Sequence, residues 1–499
     1  MYCAHLEWQP DSSSPMPFFR QLAHHLRQLI RDGALPPGTQ LPPQRSLAQQ
    51  LGVNRSTIVA AYQELQADGL LQGRHGGGSV VPTAIEVENA DVFDWQDVLD
   101  RGAFVHNRAL AAEVAHARVL PGTISLAQGE LAAELRPTAT IQELYREAPF
   151  DAEWLGYEGM HGYQPLREAI AAQMTARGAP TEPENVLTLA GAQEGLSLIC
   201  RCLLKPGDTV VVEAPSYLLT LGVLQMAGLR VLRAPVDYSG LIPSRLEELL
   251  VRNRVAMVFT VPNYQNPTGA TLAQARRVAL LDLCIRYRVP LVEDDVYGEL
   301  GFTGQSPAPL QALDQGGHVI YLSSISKSVA PGLRIGWLIG ESRLVNRLAE
   351  MKYQMHYGTG SVSQWVAQQW FQRGHHRDHL QQTRAALKIR STVLAGELRR
   401  QFGAQLTWSE PQGGFHLWAR VNAPISSTSL FRVAARAGVS IKPGSLYGVP
   451  AHRCWIRLSF QHAPVEQLRE ATSRLRDVVG ALIDEDDASD TYRAEIAAG

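Results

Sequence analysis

The sequence predicts two folded parts: a small, mostly α-helical head built as a winged helix-turn-helix, and a large α/β domain on a largely parallel sheet. Three observations carry this. Apolar residues recur at helical spacing in three short N-terminal segments, and two β-prone runs around a glycine cluster follow them. From about residue 120, short apolar runs alternate with helical stretches, which is the pattern of strands joined by crossover helices. The chain is 499 residues long, enough for two or three domains.

The head occupies 13–81. Phe19, Leu22, Leu26, Leu29 and Ile30 mark its first helix, stopped by Gly33 and Pro36-Pro37-Gly38. A second helix from Arg45 to Leu51 ends at Gly52, and Asn54 caps a third whose apolar face is Ile58, Tyr62 and Leu65. Two helices joined by a tight glycine-containing turn form a helix-turn-helix. Leu70-Leu71-Gln72 and Ser79-Val80-Val81 then read as a hairpin wing around residues 73–78. A helix N-terminus brings free N–H groups to phosphates, and Arg can pair with guanine edges, so Arg45 and Arg55 suit double-stranded DNA. Residues 1–81 hold six Arg against five acids, a weak excess that leaves a protein-interaction module as the alternative.

The stretch from Leu41-Pro42-Pro43-Gln44-Arg45 through Asn54-Arg55-Ser56-Thr57-Ile58 to Tyr62-Gln63-Glu64-Leu65 resembles the GntR-type winged helix. The resemblance implies that Arg45, Arg55, Ser56 and Thr57 meet an operator, with His75 in the wing. Residues 82–91 are a short acidic linker, and a helical run through Trp95, Val98, Leu99, Phe104, Leu110 and Val114 opens the large domain, 92–482. The acidic tail, 483–499, led by Asp484-Glu485-Asp486-Asp487, is expected to be disordered.

In the large domain, strands are expected at 186–189, 209–212, 256–260, 290–293 and 319–322, and a parallel sheet binds its ligand beyond the strand C-termini. The most informative stretch follows the last of them. Only 5 of the 46 basic residues are Lys, so a retained Lys327 suggests a need that Arg does not meet, such as a Schiff base. Ser324, Ser326 and Arg334 could hold a phosphate beside that amine. Together these are the parts that pyridoxal phosphate (PLP) requires.

Residues 324–337 resemble the segment S-x-S-K-x-x-x-P-G-L-R-x-G-W of fold-type I PLP-dependent aminotransferases. The resemblance implies roles at the other strand ends. The turn of Ala192 and Gln193 would give donors to the cofactor phosphate, and Tyr217 would stack on the pyridine. Asn266 and Tyr297 would bond its phenolic oxygen, while Asp294 would keep its ring nitrogen protonated. Arg457 would grip the α-carboxylate of an amino acid. Tyr157, in a Y-x-x-x-x-G segment, would reach the phosphate of a neighbouring subunit, implying a homodimer with shared sites. Leu131 and Arg136 depart from the family's G-x-P-x-x-x-x-F-P strip.

Composition excludes little more. The hydrophobic fraction of 45%, mean hydropathy of −0.11 and absence of an apolar run near 18 residues argue against a membrane span or leader, so the cytoplasm is expected. Five scattered Cys fit reduced thiols. His375, His376 and His379 read as a wet helix face rather than a metal site. The fusion resembles the MocR subfamily of GntR-type bacterial regulators. That implies a PLP-dependent transcription regulator in which an amine or amino-acid effector reacts at Lys327 and changes operator binding. Two alternatives stay open: an active PLP-dependent aminotransferase with a tethered DNA reader, and a sensor of PLP itself.

Overall fold

A computed structural model describes residues 8–11, 16–74, 78–82, 95, 109–150, 154, 156–220, 222–304, 307–450 and 452–498. The chain divides into two compact units, Met1–Gly102 and Ala103–Gly499.

In the first unit α1 (Phe18–Arg31), α2 (Gln44–Leu51) and α3 (Arg55–Ala67) bury Leu22, Leu26, Ile30, Leu47, Ile58, Tyr62 and Leu65 in one core. Gly52 ends α2 in the left-handed region, at φ 62°, where only glycine pays no Cβ penalty. The Asn54 side chain accepts the Ser56 amide at 3.1 Å, capping α3. Strands β1 (Gln72–Arg74) and β2 (Gly78–Val80) form the antiparallel wing. His75 and the 83–91 stretch of the linker lie outside the described residues, as does most of the run expected from Trp95; its last part is the helix Ala109–Ala117.

The second unit, which includes the helix Ala109–Ala117 and β3 (Ile124–Ser125), is built on an eight-stranded sheet. Its strands are β4 (Val186–Leu189), β5 (Thr209–Ala214), β6 (Arg230–Asp237), β7 (Gly240–Leu241), β8 (Val255–Thr260), β9 (Leu291–Asp294), β10 (Val319–Ser324) and β11 (Gly336–Ile339). They lie in the order β4-β11-β10-β9-β8-β5-β6-β7. The run from β10 to β6 is parallel, and β11 is antiparallel to both neighbours. β9 and β10 are buried along their whole length, as a sheet covered on both faces requires.

A second sheet, β12-β13-β16-β15, comprises β12 (Leu406–Trp408), β13 (His416–Val421), β15 (Lys442–Pro443) and β16 (Trp455–Ser459); β14 (Val439–Ser440) pairs with β3. Helices His375–Phe402 and Val465–Ala498 share its core, with Leu394, Leu398, Leu417, Leu458 and Leu475 among the buried side chains.

The helix Val465–Ala498 runs on into the acidic stretch, since extending an existing helix costs far less than nucleating one. One expectation is corrected here. The histidine face is not wet. His376 and His379 are buried; Trp370 donates to His376 at 3.2 Å, His376 meets Glu299 at 3.0 Å, and His379 reaches the Ser328 carbonyl at 2.9 Å. Glu299 and Ser328 come from distant segments and Trp370 from the preceding helix, which the periodicity of one helix does not reveal. No described helix is long and apolar enough to cross a membrane, and the described residues contain no cluster suited to a metal ion.

Candidate functional site

Lys327 stands just past β10, where the chain turns sharply: Ser324 Oγ donates to the Ile335 carbonyl at 2.7 Å and the Ser326 amide donates back to Ser324 Oγ at 3.0 Å. The Lys327 ammonium donates to the Gly129 carbonyl at 2.6 Å. Burial, with Arg457 beside it, brings this amine down to about 8, so a reactive neutral form is within reach near neutral pH.

Asp294, at the end of β9, acts electrostatically on Lys327. It is 1% exposed, and burial raises its carboxyl to about 6. The Tyr217 hydroxyl bonds to its Oδ2 and the Val296 amide favours the ionised carboxylate, while Oδ1 is buried without a well-aligned partner. A buried carboxylate oxygen left unmatched is costly unless a ligand satisfies it.

On the other side the turn Ala190–Gln193 leads from β4 into the helix Ala192–Leu203. Arg334 reaches the Ala190 carbonyl. Gly191 has φ 103°, and a Cβ there would come within 2.6 Å of the Arg334 guanidinium; a Cβ on Gly336 would come within 2.7 Å of the Gly191 backbone. These two glycines keep a backbone cradle open at a helix N-terminus, beside a fixed cation, which is a seat for a phosphate.

Arg457, 1% exposed on β16, donates to the Asn266 side-chain carbonyl at 3.0 Å and to the Ala127 carbonyl at 2.7 Å, and its Nε has no partner. Tyr297 OH lies 3.2 Å from His416 Nε2, and His416 Nδ1 lies 3.2 Å from Ser459 Oγ. Burial, then Arg457, holds the His416 imidazole well below its usual range, so it is neutral. His416, Ala127 and Tyr447 are neighbours of this site that sequence reasoning missed, whereas Gly129 opens the strip in which Leu131 and Arg136 depart from the family pattern. A lone His in the apolar run Phe415-His416-Leu417-Trp418 was the one signal available.

The strand ends thus bring Lys327, Asp294, Tyr217, Asn266, Tyr297 and Arg457 into one connected set, with Ala192, Gln193, Ser324, Ser326 and Arg334 around the cradle. Tyr157 stands apart: it is 84% exposed, its ring 5.3 Å from that of Tyr357. In the head, Arg45, Arg55 and Ser56 are exposed at the starts of α2 and α3, and Thr57 is half-buried. The residues fit PLP: the orphaned Asp294 oxygen suits a protonated ring nitrogen, the cradle suits a phosphate, and Lys327 suits an aldehyde.

The fold and this arrangement define a protein of two parts, a DNA-reading head and an aminotransferase-like domain. Residues 121–475 match the family model Aminotransferase class I and II, and 19–81 match Bacterial regulatory proteins, gntR family. The chain is 35% identical to the HTH-type transcriptional regulator YdfD of Bacillus subtilis over 92% of its own length and 96% of that protein's. Among solved structures, the multiple substrate aminotransferase of Thermococcus profundus shares 30% identity at a TM-score of 0.73, covering 80% of this chain and all of that one. LysN, the alpha-aminoadipate aminotransferase of Thermus thermophilus complexed with N-(5'-phosphopyridoxyl)-L-leucine, shares 27% at 0.72, covering 79% and 100%. The chain belongs to the MocR-type GntR regulators, transcription regulators that carry a class I and II aminotransferase domain.

Proposed function

We propose that this protein is a cytoplasmic, homodimeric regulator that holds PLP on Lys327 and changes its operator binding when an amine, such as an amino acid, enters the site. The observation that carries the reading is the partnerless Asp294 oxygen in a buried site shared with Lys327, in a chain that begins with a helix-turn-helix. The phosphopyridoxyl compound in the LysN structure supports it. When bound, PLP supplies an amine-reactive aldehyde and a ring that accepts electron density.

The residues then divide the work. Lys327 would offer its neutral amine to the aldehyde and would leave a proton acceptor in the site. Asp294 would hold the ring proton, Asn266 and Tyr297 would hold the phenolic oxygen, and Arg334 with the Ala192 and Gln193 turn would anchor the phosphate. Arg457 takes the carboxylate of the incoming amino acid through its fork of donors. The exposed Tyr157 is available to a second subunit, and two heads in a dimer would read two half-sites. To act as a switch the effector must favour one state of the chain by about 5 kcal/mol.

A working aminotransferase is the second reading, favoured by the Lys327 amine at about 8, a value suited to moving a proton at an amino acid's Cα. Titrating the loaded protein with amino acids while following absorbance and keto-acid release separates the two. A spectral shift without keto acid supports the regulator, and sustained release of keto acid makes it an enzyme. No shift with any amine would leave PLP itself as the signal.

A further inference from the structure

Lys442 is one of the chain's five lysines, and it sits directly across from Arg457, the two being partners on the antiparallel strands β15 and β16. Directly opposed residues of such a pair project from the same face, with Cβ atoms about 5 Å apart. Lys442 therefore shares the face from which Arg457 reaches Asn266. It is half-buried, and among the described residues its side chain has no hydrogen bond or ion pair. Every charged group that acts on it is a cation. Burial first, then Arg457, Arg118 and Lys327, push its ammonium well below the usual range.

A lysine opposite a buried arginine keeps its proton only at a cost, and an anion bound between the two would restore the charged form. Arg457 is already held by Asn266 and Ala127, and it has one free Nε for an incoming carboxylate. Beside it Tyr447, whose ring lies 5.7 Å from the Arg457 guanidinium carbon, carries a buried hydroxyl without a partner. One carboxylate on Arg457 would leave Lys442 unmatched.

We propose that the effector is an acidic amino acid with two carboxylates, the α-carboxylate bound by Arg457 and the side-chain carboxylate bound by Lys442. This rests on the amine-sensing reading above and names the ligand class of that same site. An amide analogue has the same shape but lacks the charge, so Lys442 would remain uncompensated. A charged hydrogen bond of this kind corresponds to about tenfold or more in affinity.

The test is a spectral titration of the PLP-loaded, full-length protein with L-glutamate against L-glutamine and L-aspartate against L-asparagine, repeated on Lys442→Met and Lys442→Arg. In the wild type at least one acid should half-saturate at a concentration about tenfold or more below that of its amide. Lys442→Met should bring that ratio close to one, and Lys442→Arg should retain it. Equal responses to acid and amide in the wild type, or a ratio that survives in Lys442→Met, would overturn the proposal and leave amine sensing standing. If no amino acid shifts the spectrum, the amine-sensing reading fails and this inference fails with it.

Discussion

In the head, the core is an apolar cluster that includes Leu22, Leu26, Leu47, Ile58 and Leu65, and the hydroxyls of Tyr62 and Thr39 bond to the Pro42 and Pro36 carbonyls at 3.0 and 2.6 Å. Around Lys327 the buried side chains are Asp294, Asn266, Ser324, His416 and Arg457, and Asp294 Oδ1 and Arg457 Nε have no partner. The first kind of burial stabilises by removing apolar surface from water, and it leaves function to the exposed starts of α2 and α3. The second kind costs stability and leaves polar atoms ready for a ligand. The contrast teaches where to look for each activity: on the surface of the head, and in the interior of the large unit.

If the two regions work this way, substitutions should separate them. The largest effect is expected from Lys327→Ala, which should abolish the absorbance band of the protein-bound cofactor while leaving hydrogen exchange in α1–α3 unchanged. A surviving band would remove the central lysine from the account. Arg457→Ala follows: it should raise the half-saturating concentration of a carboxylate-bearing effector about 30-fold or more, since it removes a buried, charged anchor. An unchanged value would point to an effector without a carboxylate.

Smaller effects belong to the head. Arg55→Ala should weaken operator binding about tenfold, as expected for the loss of one base or phosphate contact, with cofactor content unaltered. Asn54→Ala removes the α3 cap, worth about 1 kcal/mol, and should speed amide exchange in α3 about fivefold in the full-length protein. A loss of cofactor in either variant would break the separation between the regions.

The same contrast explains what could be read from sequence. The head was legible because its stabilising residues recur locally: Asn54, Ile58 and Leu65 lie on one helix, and glycines mark its ends. Four of the five expected strands, from 209–212 to 319–322, were legible because central parallel strands are continuous apolar runs, the edge strand β4 because it too is buried throughout, and the motif at 324–337 named the lysine. β6 was not, since Arg230, Arg233, Pro235 and Asp237 interrupt its pattern where it approaches the sheet edge. β11 was hidden inside the motif that contains Gly336 and Trp337. His376 and His379 were misjudged because Glu299, Trp370 and Ser328, which surround them, come from other segments. His416 and Lys442 gained meaning only when β13 set His416 opposite Ser459 and β15 set Lys442 opposite Arg457.

The measurement that bears most directly on the account joins the two regions. Full-length, cofactor-loaded protein would be given an operator selected from a randomised DNA pool, and its affinity measured with and without the amine that shifts its absorbance. The account predicts about a tenfold or larger change in operator affinity in the wild type, and none in Lys327→Ala. Identical affinities in the wild type with and without the amine, or a Lys327→Ala protein that responds as the wild type does, would contradict it.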